Sequence, residues 1–224
     1  MRSRDIEAYK KTIRLSKRQR SIIVGTLLGD GHLETMNNGK TYRLKIEHSI
    51  KQHEYVDWLY EQLKPLVRTM PRARIHSGVL PQGTKCDIAL YGFTTYSLGA
   101  LRFYGQQFYT REKKKIIPRL LKKLLTPLGI AIWYLDDGSF KSNRHRTFII
   151  HTHGYAVVEL KSAQEALMQY GIKTSLHRQV RGNKTYWRIY VISESAGEFV
   201  KLVQGVVYEI PSLLYKLGNT MPKE

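Results

Sequence analysis

The feature that most constrains this chain is an apolar helix that ends on Asp-Gly and occurs twice. Ser16, with a glutamine three residues on, forms a capping-box pattern that predicts the start of the first helix, which ends at Asp30. Thr126 and the proline after it predict the start of the second, which ends at Asp137. The two acids stand about half the chain apart. This spacing predicts one supersecondary unit used twice.

The segments that follow the two apolar helices repeat the same order of elements. The first is followed by a strand over 42–48, a helix over about 52–63, two further strand-like runs and a third helix. The second is followed by a strand near 146–152, a helix over 157–170, strands near 173–181 and 184–192, and a helix over about 196–207. The pattern therefore predicts an α+β fold with two pseudo-symmetric halves, residues 1–112 and 113–224.

Alternation along the predicted strands gives each half one apolar face and one face of long polar side chains. In the first half the polar set comprises Arg43, Lys45, Glu47, Arg72, Arg74, His76 and Lys85, the last aligned with Asp87 and opposite Cys86, Ile88 and Leu90. In the second half it comprises Lys173, Ser175, His177, Gln179, Arg181, Lys184, Tyr186 and Arg188. An ordinary half-exposed sheet would show the same alternation. Its solvent face would mix charge signs, however, whereas these groups are mostly cationic or hydrogen-bonding, as a β-ribbon that reads the DNA major groove requires.

The net charge of +19, from 37 Lys and Arg against 18 Asp and Glu, indicates a polyanionic partner. Charge alone does not separate DNA from RNA, or binding from cutting, and a ribosomal or other RNA-binding protein, or simply a very soluble surface, would carry it too. No apolar run approaches the roughly 18 residues of a membrane span, and the N-terminus lacks the apolar stretch of a secretory signal. With a single cysteine, Cys86, the chain is predicted to be intracellular, in a bacterial cytoplasm or an organelle.

The two acids at the helix ends predict a metal-dependent site. A carboxylate at a helix C-terminus meets an already negative dipole, so Asp30 and Asp137 call for a compensating cation. A single Asp-Gly would be explained as a solvated helix stop, but the feature occurs twice after helices too apolar for the surface. Gly25 and Gly29 allow close helix approach, which would bring the acids together. Paired carboxylates suit Mg²⁺, which can activate water for phosphodiester hydrolysis.

Residues 23–31, Ile-Val-Gly-Thr-Leu-Leu-Gly-Asp-Gly, and residues 130–138, Ile-Ala-Ile-Trp-Tyr-Leu-Asp-Asp-Gly, resemble the motif of the LAGLIDADG homing endonuclease family, in its monomeric two-motif branch. The resemblance runs from about residue 17 to 220. It implies αββαββα units with the motif helices at a central interface and the sheets as a saddle over DNA. It also implies a monomer that uses Mg²⁺, with Mn²⁺ as substitute, to cut both strands of a long asymmetric DNA site. The implied metal-binding residues are Asp30, Asp137, Gly29 and Asp136, and the implied catalytic residues are Asp30, Asp137, Lys115 and Lys216.

The second motif departs from the pattern, because Ile132 and Asp136 stand where small residues are found at Gly25 and Gly29. This predicts an asymmetric contact between the two motif helices.

The catalytic lysine of the first half has more than one candidate. Aligning the two Ile-Pro repeats sets Lys123 opposite Lys216, so Lys122 and Lys123 are alternatives to Lys115 as that lysine.

Two other functions stay open: an RNA maturase, which assists intron splicing on the same fold, and a DNA-binding regulator without catalysis.

Overall fold

The computed structural model describes residues 3–79, 85–142, 145 and 147–220. An opening helix, α1 (Ser3–Thr12), precedes two repeats joined by the short helix α5 (Leu121–Leu124). The first repeat comprises α2 (Lys17–Leu28), β1 (His32–Glu34), β2 (Arg43–Ser49), α3 (His53–Leu63), β3 (Arg72–Val79), β4 (Lys85–Thr94) and α4 (Arg102–Phe108). The second comprises α6 (Pro127–Asp137), β5 (Gly138–Phe140), β6 (Phe148–His151), α7 (Val157–Met168), β7 (Thr174–Arg181), β8 (Lys184–Val191) and α8 (Ala196–Tyr208). A 3₁₀ segment, Pro211–Thr220, follows. The duplicated αββαββα order is confirmed, while the boundary between residues 112 and 113 stays a prediction.

Each repeat forms one antiparallel sheet, and the two sheets have equivalent strand orders. The order is β1-β2-β4-β3 in the first and β5-β6-β8-β7 in the second. Helix α3 packs on β2 and β4, and α7 packs on β7 and β8. One face of each sheet is therefore covered by a helix, which leaves the other face for a partner.

The two motif helices begin where the sequence predicts. Ser16 Oγ accepts a hydrogen bond from the Gln19 amide at 3.1 Å, and Gln19 Oε1 accepts from the Ser16 amide at 3.0 Å, which completes the capping box. Thr126 Oγ1 accepts from the Gly129 amide at 3.1 Å and starts α6. Beyond their first turns, over residues 21–28 and 129–135, both helices are buried on all sides and pack against each other. No helix in the described part of the chain has the length and apolar character of a membrane crossing.

The contact between α2 and α6 is too close for a side chain at two positions of α2. A Cβ added to Gly25 would lie 2.6 Å from the carbonyl oxygen of Gly129 and 2.6 Å from Ile132 Cβ. A Cβ added to Gly29 would collide with the side chain of Asp136. The predicted asymmetric contact is confirmed, since each glycine of the first motif faces a larger residue of the second.

Several boundaries and short elements differ from the prediction. Helix α7 ends two residues earlier than predicted, although Gly171 (φ +72°) closes it in the left-handed conformation as expected. The strand predicted from Arg146 starts at Phe148, and Arg146 itself lies outside the described residues. Helix α1 and the strands β1 and β5 have no counterpart in the residue patterns. The two strands span three residues each, too few for alternation to be recognised.

The face predicted for Ile88 and Leu90 was wrong. In the β3–β4 pairing Arg74 lies opposite Leu90 and His76 opposite Ile88, so both apolar residues share the face of the cationic side chains. Asp87 instead pairs with Ser77 on the opposite face, where Ser77 Oγ donates to its carboxylate. Ile88 is 49% exposed, so in this outer part of the hairpin the alternation of apolar and polar residues does not indicate which face is buried. The side chain of Lys85 lies outside the described residues.

We expect Gly25→Ala to destabilise the protein by about 1–3 kcal/mol, because the new methyl group overpacks the contact between α2 and α6. The matched control is Gly205→Ala in α8, where an added Cβ meets nothing within 4 Å. That change should raise stability by about 0.5–1 kcal/mol, as alanine does in an open helix interior. Urea unfolding monitored by circular dichroism measures both. Equal stability of Gly25→Ala and the wild type would contradict the close contact.

Candidate active site

The two predicted acids lie at the same end of the central helix pair. Asp30 follows α2, and its carboxylate is 49% exposed. Asp137 is the last residue of α6. Because the two helices are in close contact along their length, their carboxyl-terminal ends present both acids to one region of the surface. This is the convergence that the sequence predicts.

Asp136 forms a hydrogen-bonded connection between the two halves. Its Oδ2 accepts from the main-chain amide of Asp30 at 3.0 Å, and its Oδ1 accepts from the Tyr55 hydroxyl at 2.6 Å. Its side chain is fully buried. The carboxylate of this predicted metal ligand is therefore held inside the protein by two protein donors and is closed to solvent. The carboxylate holds Asp30 in place.

Burial and mutual repulsion raise the pKa of both acids of the second motif. The pKa of Asp137 rises to about 8, first through burial and then through the charges of Asp30 and Asp136. The pKa of Asp136 rises to about 7 through burial and the charge of Asp30, while the hydrogen bond from the Tyr55 hydroxyl lowers it. A carboxyl pKa raised to neutrality or above means that the charged form is costly in this cluster until a cation compensates it. The cluster thus has the electrostatics of a cation site.

Lys115 reaches the end of the first motif helix. Its Nζ donates to the carbonyl oxygens of Gly29 at 2.5 Å and Gly31 at 2.8 Å, on either side of Asp30. Burial lowers the pKa of this ammonium, while the neighbouring aspartates oppose the shift. The main-chain carbonyl of Gly29, predicted as a metal ligand, therefore already accepts a hydrogen bond from a lysine.

Lys216 makes similar contacts at the end of the second motif helix. Its Nζ donates to the carbonyl oxygens of Leu135 at 2.5 Å and Gly138 at 3.0 Å. The Tyr134 hydroxyl in turn donates to the main-chain carbonyl of Lys216 at 2.6 Å. Burial lowers the pKa of Lys216 as it does that of Lys115. The site therefore has one acid and one lysine for each motif, Lys216 buried and Lys115 partly buried.

The two rivals of Lys115 lie elsewhere. Lys122 pairs with Glu165 at 2.8 Å on the surface, and Lys123 is exposed on α5. Of the three lysines only Lys115 contacts the motif, so the geometry favours it. Its catalytic role stays a prediction.

The residue patterns did not single out His48 or Tyr55. His48 Nδ1 lies 3.4 Å from Asp30 Oδ2, and its Nε2 lies 3.8 Å from Asp136 Oδ1 without a hydrogen-bond partner. Burial lowers the pKa of this imidazole, and the charge of Asp30 opposes the change. The available signal was a histidine on a strand face that is otherwise apolar. At the matching register position of the second half stands Thr152, so this contact breaks the pseudo-symmetry.

The donor atoms fit a hard divalent cation in part. Within the described residues no three His, Cys, Asp or Glu side chains converge on one point. A cation between Asp30 and Asp137 would therefore complete its shell with main-chain carbonyls, water and substrate oxygens. Such all-oxygen sets with few protein ligands are typical of Mg²⁺ sites at phosphate esters.

The polar face predicted for the second sheet is assembled as expected. His177 lies opposite Arg188, Gln179 opposite Tyr186 and Arg181 opposite Lys184, so these side chains share a face across β7 and β8. The His177 ring stacks on Tyr190 at 3.9 Å between centroids. No carboxylate of the described residues lies within 4.0 Å of Arg181, Lys184 or Arg188. Their charges are available to an anion.

The polar face of the first sheet is less cationic than predicted. Arg43 pairs with Glu34 at 2.6 Å, and Lys45 pairs with Glu47 at 2.8 Å, while Arg74 lies 3.9 Å from Glu47. Mixed signs on this face mean that its cations are already neutralised in part.

Lys173 also differs from the prediction. It precedes β7 rather than lying within it, and its ammonium lies 3.3 Å from a Glu194 carboxylate oxygen.

Two apposed helices that each end in an acid, two lysines and two sheets with open polar faces define a class: duplicated α+β nucleases with a central catalytic interface. The chain belongs to the LAGLIDADG DNA endonuclease family, whose family model matches residues 20–199.

The chain is similar to an endonuclease and to an mRNA maturase. DNA endonuclease I-ChuI of Chlamydomonas applanata is 30% identical over 92% of this chain and 96% of its own length. Cytochrome b mRNA maturase bI2 of Saccharomyces cerevisiae is 29% identical over 89% of this chain, which spans 47% of that protein. Among solved structures, the homing endonuclease I-WcaI bound to its DNA recognition sequence superposes with a TM-score of 0.80 at 25% identity, covering 96% of this chain and 92% of that one.

We expect Tyr55→Phe to lower the free energy of unfolding by about 1–3 kcal/mol, because the buried Asp136 carboxylate loses a hydroxyl donor. Tyr91→Phe is the matched control, since the Tyr91 hydroxyl donates to the Asp57 carboxylate at 2.9 Å in a half-exposed place. Water can replace that donor, so the control should lose less stability than Tyr55→Phe. Chemical denaturation of both variants measures the difference. Equal losses of unfolding free energy would contradict a stabilising role for the hydrogen bond between Tyr55 and Asp136.

Proposed function

We propose that this chain is a site-specific endonuclease that cuts both strands of a long, asymmetric duplex DNA target by metal-dependent phosphodiester hydrolysis. One observation supports it above the others: two acids stand at the apposed ends of α2 and α6, each with its own lysine. Two similar sets of groups can act on two antiparallel strands. A regulator without catalysis would have no need for such costly buried charges.

The acids and the lysines of the site have different roles in the proposed hydrolysis. Asp30 and Asp137 would hold a divalent cation, Mg²⁺ or Mn²⁺, which when bound activates water and stabilises the leaving 3′ oxygen. Lys115 and Lys216 are fixed by carbonyl oxygens beside each acid. Their ammonium groups stabilise negative charge that develops on the scissile phosphate. Asp136 keeps Asp30 in position through its main-chain amide.

The polar faces of the two sheets would bind the DNA. The second sheet offers free cations for phosphates and hydrogen-bonding groups for base edges. The first sheet offers arginines oriented by Glu34 and Glu47, which favours base recognition over phosphate contact. The proposed contact residues are Arg43, Lys45, Glu47, Arg72, Arg74, His76, Lys173, Ser175, His177, Gln179, Arg181, Lys184, Tyr186 and Arg188. Lys85, which the sequence placed with them, pairs with Val79 and so has its register position on the opposite face, with Asp87. Two such ribbons in successive major grooves cover about two helical turns.

The chain would act as a monomer. Both motif helices come from one polypeptide and bury each other, so no second copy is needed to complete the site. Because the two sheets differ in sequence and in charge pairing, the target need not be palindromic. Such an enzyme works where DNA is present, in a bacterial cytoplasm or an organelle.

Substitution of either acid tests the proposal. In the presence of Mg²⁺, Asp30→Asn and Asp137→Asn should each abolish double-strand cleavage, because the cation loses a charged ligand. DNA affinity should stay within about tenfold, or about 1.4 kcal/mol. The target would first be selected from a random duplex library, and cleavage then followed with and without chelator. Glu198→Gln, an exposed acid on α8, is the control. Full Mg²⁺-dependent activity of Asp30→Asn would refute the metal assignment.

The lysines give a second test. Lys115→Met should slow one strand by about two to three orders of magnitude, with little change in affinity, so that nicked plasmid accumulates. Lys216→Met should slow the other strand. Lys123→Met is the matched control, because this lysine is exposed and does not contact either motif. Single-turnover cleavage of supercoiled DNA with strand-specific labels separates the cases, and a nicking defect in Lys123→Met would reverse the choice of lysine.

The RNA maturase alternative rests on a different surface. Retention of both acids and both lysines favours cleavage, but it does not conflict with RNA binding elsewhere on the molecule. An RNA-binding role would require a cationic surface away from the DNA.

A further inference from the structure

Two glutamates reach from one half of the molecule to the other. They lie on α3 and α7, which pack behind the sheets of their own halves and which we call the sheet-backing helices. Glu54, in the first turn of α3, accepts a hydrogen bond from the Ser212 amide at 3.2 Å. Glu159, in the first turn of α7, accepts one from the Ile117 amide at 2.9 Å. Each amide belongs to a segment that follows the last helix of the other repeat.

The two segments held in this way carry the two lysines of the site. Lys115 lies two residues before Ile117, in the stretch that continues from α4. Lys216 lies four residues after Ser212, within the 3₁₀ segment that follows α8. Each stretch also contains one of the two Ile-Pro pairs. The repeated Ile-Pro pair therefore marks the two places where a lysine segment is tied to the opposite half.

The glutamates supply acceptors where regular secondary structure supplies none. Ser212 lies in the first turn of a 3₁₀ segment, where an N–H group precedes the acceptors of its own segment. Ile117 is buried in a stretch outside helix and strand, and a buried amide needs a partner. The second oxygen of Glu159 accepts from the Ala156 amide at 2.7 Å, which fixes the carboxylate against the start of α7. Each lysine segment is thus anchored to a rigid element of the other half.

A tyrosine beside each glutamate reaches the motif helix of the opposite half. Tyr55 of α3 donates to the Asp136 carboxylate of α6 at 2.6 Å. Tyr155, just before α7, donates to the carbonyl oxygen of Leu28 in α2 at 2.8 Å. The start of each sheet-backing helix therefore contacts both the motif helix and the lysine segment of the other half. This crossed arrangement occurs in both directions.

We propose that Glu54 and Glu159 are positioning residues for the lysine of the opposite half: Glu159 places Lys115, and Glu54 places Lys216. The inference rests on the proposed function, in which each lysine acts on one DNA strand. A small displacement of such a group costs much of its effect on the reacting phosphate. Because the sheet-backing helices support the sheets, the lysine that serves one strand is in place only when the other half is in place. The crossed contacts couple the two cuts.

Strand-resolved cleavage tests the contact made by Glu159. In single-turnover reactions with the two strands labelled separately, Glu159→Ala should slow the strand that Lys115→Met slows by about tenfold, and the other strand by less than about twofold. In the Lys115→Met background, Glu159→Ala should cause no further loss, because a positioning residue acts through the lysine. The matched control is Glu198→Ala, which removes an acid from the first turn of α8 that pairs with Lys201 of the same helix. It should leave both strands unchanged.

The contact made by Glu54 has a smaller expected effect. Trp58 of α3 also donates to the Glu209 carboxylate, at 2.7 Å, so a second tie to the stretch before the 3₁₀ segment remains. Glu54→Ala should therefore slow the strand served by Lys216 by about threefold, and the other strand by less than about twofold. Glu54→Gln keeps an oxygen acceptor for the Ser212 amide and should stay within about twofold of the wild type.

Hydrogen exchange of the free protein, followed by mass spectrometry, needs neither DNA nor metal. Exchange should rise about threefold or more in the peptide containing Ile117 for Glu159→Ala, and in the peptide containing Ser212 for Glu54→Ala. The proposal is overturned if either alanine variant slows both strands alike, if it slows the uncrossed strand, if the double change is additive, or if neither peptide exchanges faster. A wild type that cuts no selected duplex, with exchange changed as expected, would refute the proposed function and leave the crossed contacts supported.

Discussion

The close contact between α2 and α6 is the constraint on which the rest of the molecule depends. Gly25 and Gly29 present bare backbone, and Ile132 and Asp136 fill the space that they leave. Only at this separation can the Asp136 carboxylate reach the Asp30 amide and bring the charges of three aspartates together. The lysines and the demand for a cation follow from that crowding. A wider helix pair would relieve the repulsion and lose the site.

Much of this arrangement could be predicted from local patterns. The helix starts are fixed by caps within four residues, at Ser16 and Thr126, and the acids by the helix ends. Alternation predicts the polar face of β7 and β8, because one side of these strands is covered by α7. The duplication itself was visible because both halves keep the same order of elements at the same spacing. These features depend on neighbours in the chain.

What could not be predicted depends on contacts between distant segments. His48 continues the buried face of β2, and nothing in the strand indicates that its ring meets Asp30 from one half and Asp136 from the other. The choice of Lys115 over Lys123 rests on where the chain between the repeats turns, which an alignment of Ile-Pro pairs does not report. The prediction that Ile88 lies on the apolar face was wrong because both faces of the hairpin are exposed to solvent at that point.

The glycine-against-bulk contact also governs how such proteins can be recombined. An interface with holes on one helix and knobs on the other is complementary only to its partner. Two copies of the first half would set glycine against glycine and let the helices approach still more closely, whereas two copies of the second would oppose isoleucines and bury two Asp136 carboxylates side by side. The spacing of the acids found here is therefore a property of the mixed pair. Chimeras assembled from relatives keep that spacing when they inherit α2 and α6 together.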